Sequence, residues 1–190
     1  MENLARKLMN AEEYLEMERN SSVKHEFYKG EIFAMAGAKE RHNLIVSNLI
    51  IAFGTRFKNQ PCFVYPSDMR VAIDKNDHYT YPDVILVCGE RKFLDNKNDT
   101  LLNPNVIIEV LSESTENYDR GKKFEAYRTI PSLQEYMLVS SDRKKIEVFS
   151  KSPDGRWYLF ESDPSESVEI TSLKTNISLS EVYDKIEFEE

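Results

Sequence analysis

Two carboxylates and a lysine stand where they could support phosphoryl chemistry. Asp83 follows Pro82 at the head of the apolar run Val84-Ile85-Leu86-Val87-Cys88, and Glu109 sits inside a second run, Val106-Ile107-Ile108-Glu109-Val110-Leu111. Each run fills consecutive positions with apolar residues, the pattern of a strand buried on both faces. A carboxylate in such a strand is costly unless something neutralises it. If the two strands are neighbours, both acids meet at one edge of the sheet. Two carboxylates, waters and phosphate oxygens then suit a hard divalent cation such as Mg2+ or Mn2+. That cation would polarise a scissile phosphate and lower the pKa of an attacking water. Taken alone, Asp83 reads first as a strand-start turn residue, whereas the bland reading of Glu109 is weaker, since it needs a buried partner such as Arg or Lys.

The surrounding elements must position these groups. Asn10 caps a short helix over Asn10–Glu18, with Leu8, Tyr14, Leu15 and Met17 directed inward. Lys24–Gly37 reads as a hairpin turning at Lys29-Gly30. Glu40–Asn59 is the longest helix, with His42, Val46, Leu49 and Phe53 on one stripe and Leu44, Ile51 and Phe57 widening it. Strand segments follow at Cys62–Tyr65 and Met69–Ile73, then a turn over Asp74–His78, the strand Tyr81–Cys88 and a polar loop over Gly89–Pro104. After Val106–Leu111, a helix runs from Tyr118 to Ile130, stopped by Pro131. Glu135–Ser140, Lys144–Lys151 and Arg156–Glu161 are three more strands. Asp163–Glu169 is an acidic, Ser-rich loop, and Leu179–Ile186 a last short helix. No repeat or linker breaks the chain, so residues 1–190 read as one domain. The order predicts an α/β (α+β) fold, a mixed central sheet flanked by helices.

Composition narrows the function. The chain has 190 residues, 41% hydrophobic and 31% charged, which excludes a disordered protein. Mean hydropathy is -0.54 and no apolar run is long enough to cross a membrane. Met1–Lys7 lacks the apolar segment of a signal peptide, so a cytoplasmic location is expected. In such a reducing compartment Cys62 and Cys88 are expected first as separate small core residues, with a disulfide between them the lesser alternative. The formal net charge of -8 argues against a general nucleic-acid coat. A nuclease stays open, because local lysines and a bound cation can offset acids at one cleft.

The ordered set of segments resembles the Uma-two family of endonucleases, within the PD-(D/E)XK restriction-endonuclease-like superfamily. The matching pieces are His25-Glu26-Phe27-Tyr28-Lys29-Gly30-Glu31-Ile32, Arg41-His42, Tyr81-Pro82-Asp83-Val84, Val106 through Ser112, Ser114-Thr115, Tyr118-Asp119-Arg120-Gly121-Lys122-Lys123 through Tyr127, and Glu135-Tyr136-Met137-Leu138-Val139. The resemblance implies metal-dependent hydrolysis of DNA phosphodiesters, with Asp83 and Glu109 as the metal-binding acids. The superfamily motif asks for a lysine two residues after the second acid, and Leu111 stands there. The resemblance moves that role to Lys123 on the following helix, a position from which a long side chain can reach back. Glu31, or Glu26 on the same hairpin, is a possible accessory acid, and His42 a possible proton carrier or phosphate contact. His25 and His78 read as surface or turn residues, and Asp119 as a helix-start charge. A homodimer fits a reaction that needs two cuts. The alternative reading is a catalytically silent nuclease fold serving as a binding or assembly module, which Leu111 and the acidic charge keep in play.

Overall fold

The structure is a computed structural model describing residues 8–75, 77–113, 115–162 and 167–188. In chain order it runs α1 (Ala11–Asn20), β1 (His25–Tyr28), β2 (Glu31–Ala34), α2 (Glu40–Arg56), β3 (Cys62–Pro66), β4 (Arg70–Asp74), β5 (His78–Thr80) and β6 (Val84–Cys88). It continues with β7 (Thr100–Leu101), β8 (Val106–Leu111), α3 (Glu116–Tyr118), one wide π-helical turn (Asp119–Lys123) and α4 (Phe124–Tyr127). The last elements are β9 (Glu135–Ser140), β10 (Ile146–Lys151), β11 (Trp157–Glu161), β12 (Ser167–Ile170), β13 (Thr175–Ser178) and α5 (Leu179–Val182).

A six-stranded sheet in the order β11-β10-β9-β8-β6-β3 carries the core. It is mixed: β8 and β9 are parallel, and the other pairings are antiparallel. The period-two pattern of its strands sends alternate residues to opposite faces. Val84, Leu86, Ile108 and Val110 pack under Ile45, Leu49 and Phe53 of α2. Ile85, Val87, Ile107 and Leu111 pack on the other side with Tyr127, Ile130 and Tyr136. A second sheet, β2-β1-β5-β4-β7, lies beside that second face and adds Val71 and Leu101 to it. The expected mixed sheet flanked by helices is therefore the observed architecture. The central strands are buried on both faces, as their continuous apolar runs require.

Several local expectations are corrected. The strand holding Asp83 begins at Val84, so Asp83 precedes its ladder. α2 ends at Arg56, where Phe57 tucks into the core and turns the chain away. Ile51 is 66% exposed and widens no apolar face, and Leu8, expected inward, is 60% exposed. Both polar stretches read as turn or loop contribute short strands, β5 and β7, held by pairing with β4 rather than by their own propensity. Leu179–Ile186 is helical only through Val182. The acidic stretch Asp163–Glu169 falls largely outside the described residues, and its last part forms β12. The readings on Met1–Lys7 and Ser114 also lie outside them. Cys62 and Cys88 are not separate thiols: the β3–β6 register sets them directly opposite, and they are bonded through sulfur.

The N-terminal helix is fastened by charge as well as packing. Arg19 Nε donates to Asp99 Oδ2 at 2.7 Å, and Arg70, itself buried, lies 3.3 Å from the same oxygen. The Arg19 hydrogen bond, against the opposing effect of burial, depresses the Asp99 carboxyl to about 2. A carboxyl with a depressed folded pKa stabilises above its unfolded value near about 4 and loses that contribution as pH falls through its folded value. The melting temperature of the wild type should therefore fall between about pH 4 and pH 2 by more than that of Asp99→Asn. Thermal unfolding at stepped pH reads the difference, and parallel curves would remove Asp99 from the acid response.

Candidate active site

The β6–β8 register brings the two acids together. Val84 pairs with Ile108, so the next step of the antiparallel ladder sets Asp83 opposite Glu109. Directly opposed residues point to the same face. Each carboxylate accepts a backbone N–H from the other strand: Asp83 N–H donates to Glu109 Oε2 at 3.3 Å, and Val110 N–H donates to Asp83 Oδ2 at 2.8 Å. The carboxylates thus replace the ladder bonds lost where β6 begins. That explains why a Pro-Asp step is tolerated here, since proline has no N–H to give.

Lys123 reaches this pair from the wide turn. Its Nζ lies 2.9 Å from Glu109 Oε1, 3.3 Å from Glu26 Oε1 and 3.5 Å from Asp119 Oδ1. The turn holds Asp119 and Lys123 on its inward side, and Tyr127 continues that buried stripe into α4. π-helical turns of this kind are rare and recur at functional sites. Lys123 is 7% exposed and Glu109 3%. Burial alone would discharge Lys123, but the charges of Glu109, Glu26 and Asp119 outweigh it and hold the ammonium pKa well above the ordinary lysine value. For Glu109, burial dominates and pushes the carboxyl up to about 8; Lys123 opposes the shift, and Asp83 and Asp119 add to it. Burial likewise raises Asp119, which lies in the cluster and does not simply charge a helix start.

A ring of supporting contacts fixes the acids. Tyr127 OH donates to Glu109 Oε1 at 2.9 Å and lies 3.1 Å from Thr80 Oγ1. His42, on the first turn of α2, sets Nε2 3.2 Å from Asp83 Oδ2. Burial works against its protonation, yet the bond to Asp83 and the charges of Asp83 and Asp119 raise its pKa overall. His42 Nδ1 is buried without a hydrogen-bond partner among the described residues. His78, read from sequence as a turn residue, is 8% exposed in β5, and burial lowers its pKa. His25 is tied to Glu18, which accepts from its backbone N–H at 2.8 Å.

The structure brings Asp83, Glu109, Lys123 and His42 within reach of one another. Of the two hairpin acids, Glu26 enters the cluster, while Glu31 is exposed in β2 opposite Tyr28. Strand alternation alone leaves either acid eligible; the β1–β5 pairing selects Glu26. Sequence reasoning missed Asp119 and Tyr127 as partners. Their signal was present as the four-residue spacing Asp119, Lys123, Tyr127 on one helical stripe. Leu111, two residues after Glu109, is core packing against this face.

The donor chemistry suits a divalent cation completed by solvent and phosphate. Asp83 and Glu109 are hard oxygen donors on one face, and Asp119 and Glu26 add negative charge that one ammonium does not balance. Protein groups alone do not build a cage: among the described residues, no set of three His, Cys, Asp or Glu is arranged to hold a metal.

The chain also resembles known proteins. Residues 11–180 match the model of the family Uma2, described as "Putative restriction endonuclease". The "Uncharacterized protein slr1290" of Synechocystis sp. is 35% identical over 181 residues, covering 95% of this chain and 94% of that protein. From the same organism, the "Uncharacterized protein sll1609" is 39% identical over 155 residues, covering 82% and 88%. A crystal structure of "a putative nuclease belonging to DUF820" from Anabaena variabilis superposes with a TM-score of 0.74 at 18% identity, covering 92% of this chain and 97% of that one. At that identity the likeness establishes a shared fold. No helix among the described residues is long and apolar enough to cross a membrane.

Proposed function

The chain belongs to the Uma2 family, and from that premise we propose that it is a metal-dependent DNA endonuclease that hydrolyses phosphodiester bonds. The observation that carries this reading is the convergence of Lys123 on Glu109 at 2.9 Å, beside an Asp83 fixed by the same strand pair. Asp83 and Glu109 would hold Mg2+ or Mn2+, which supplies Lewis acidity at the scissile phosphate and a more acidic bound water. The protein's own groups do the rest. Lys123 remains protonated, so it orients the water and stabilises negative charge growing on the phosphoryl oxygens instead of taking a proton. Tyr127 keeps Glu109 from rotating away, and His42 holds Asp83 toward the strand pair.

Lys123 can replace the missing strand lysine because the wide turn brings its ammonium to the same face that Leu111 occupies with its methyl groups. The second reading, a silent nuclease fold, draws on Leu111 and on the two-acid donor set. Plasmid nicking with Mg2+ or Mn2+ separates them. Wild type should convert supercoiled DNA to open circle, with EDTA abolishing the reaction and Asp83→Ala or Glu109→Ala each slowing it by at least about a hundredfold. Equal rates in all three proteins would sink the site.

A further inference from the structure

Beside the carboxylate–lysine cluster, the five-stranded sheet presents aromatic rings that the cleavage chemistry does not require. Glu26 is paired with Phe33 across β1 and β2, and Tyr28 with His78 across β1 and β5. Directly opposed residues share a face, and residues two apart on a strand share it too. Glu26 points at Lys123, so Phe33 and Tyr28 lie on the face that opens onto the cluster. Phe33 is 50% exposed and Tyr28 41%. Tyr28 is braced, with the His78 ring 4.7 Å away and Lys29 Nζ 5.1 Å from its centroid. From the other side comes Tyr118, 41% exposed and next to Asp119 in the chain. Asp119 itself reaches Lys123 Nζ at 3.5 Å, so Tyr118, the residue before it, flanks the cluster from the helix side.

Single exposed aromatic side chains are ordinary on a protein surface. Three that converge from a hairpin and a helix on one buried cluster of acids and a lysine are a different arrangement. Building on the nuclease reading, we propose that Phe33, Tyr28 and Tyr118 form a stacking platform that selects single-stranded DNA, with unpaired bases beside the scissile phosphate lying on these rings. Bases in a duplex are stacked on each other and offer no π-face to a side chain, whereas a single strand offers one at every nucleotide. Charge points the same way. A single strand condenses fewer counterions than a duplex and so depends less on Lys and Arg contacts to phosphates, and this chain carries a net charge of -8. Stacking lets a strand be held where phosphate neutralisation is scarce. A single-stranded substrate also needs one active centre per cut, so the reaction requires no second copy of the chain.

The test is fluorescence anisotropy with three labelled probes of equal length: an oligothymidylate, an abasic oligomer and a duplex. Each is titrated in Ca2+ and in EDTA, with cleavage of the same three probes in Mg2+ or Mn2+ run alongside. Wild type should bind the oligothymidylate about tenfold or more tightly than the abasic oligomer, and more tightly than the duplex. Phe33→Ala with Tyr118→Ala should bring it down to the abasic level, while Phe33→Tyr, which keeps a ring, should retain the preference. Circular dichroism of each variant checks that the exposed substitutions leave the fold intact. Equal binding of thymidylate and abasic probes overturns the platform, as does tighter duplex binding that ignores the ring substitutions. A Phe33-dependent dimer in sedimentation, without base-dependent binding, would assign the rings to a second copy and overturn it as well. Absent cleavage of the oligothymidylate in Mg2+ or Mn2+ with base-dependent binding intact would strike the nuclease reading alone.

Discussion

Lys123→Met should abolish metal-dependent cleavage and, at pH values where the neighbouring carboxyls are ionised, also destabilise the metal-free protein by about 3–5 kcal/mol. Methionine keeps the length and most of the volume of the lysine stem, so the loss isolates the ammonium. That ammonium is the counter-charge for Glu109, with Glu26 and Asp119 close by. Without it, buried carboxylates remain with no cation, which costs far more than the pair contributes when intact. The sign with pH follows. Burial already raises the Glu109 and Asp119 carboxyls, and removing Lys123 raises both further. The folded variant then binds more protons than folded wild type, so its stability falls relative to wild type as pH rises and recovers on acidification. Urea unfolding at several pH values, beside plasmid nicking, measures both halves. Unchanged stability would mean that Lys123 faces solvent, and unchanged cleavage that it takes no part in the reaction.

The acids were legible because burying charge in continuous apolar runs is physically expensive, so Asp83 and Glu109 stood out as exceptions to a pattern. The long helix and the strands Val106–Leu111 and Glu135–Ser140 were legible for the complementary reason: their periodicity is decided by the core they face. What stayed hidden depends on pairing. β5 and β7 are short and polar in sequence, and each exists because β4 offers it a ladder. The Cys62–Cys88 bond follows from the register of β3 on β6, which composition cannot reveal. The choice of Glu26 over Glu31 turns on which hairpin strand joins β5. The wide turn at Asp119–Lys123 is a departure of one residue from regular helix, and no propensity marks it except the glycine at its centre. Lys123 at its end points at Glu109, and Tyr127, four residues on, bonds the same carboxylate.

Glu109→Gln should also lose cleavage, by at least about a hundredfold, while the fold tolerates it to within about 1 kcal/mol. An amide oxygen can still accept from Lys123 and Tyr127, and Lys123 keeps Glu26 and Asp119 as counter-charges. The bond to the Asp83 N–H is the one an amide NH2 cannot replace. Asymmetry between the two substitutions makes their combination informative. Lys123→Met strands the Glu109 carboxylate, but a glutamine at that position has no charge to strand. The double variant should therefore be more stable than the sum of the single losses implies, with a coupling of about 2–3 kcal/mol in a double-mutant cycle. Additive losses would show that the 2.9 Å contact carries no energy in solution. The cleavage assay should be non-additive for a separate reason: once either group is absent the active centre is incomplete, so the second substitution has little left to remove.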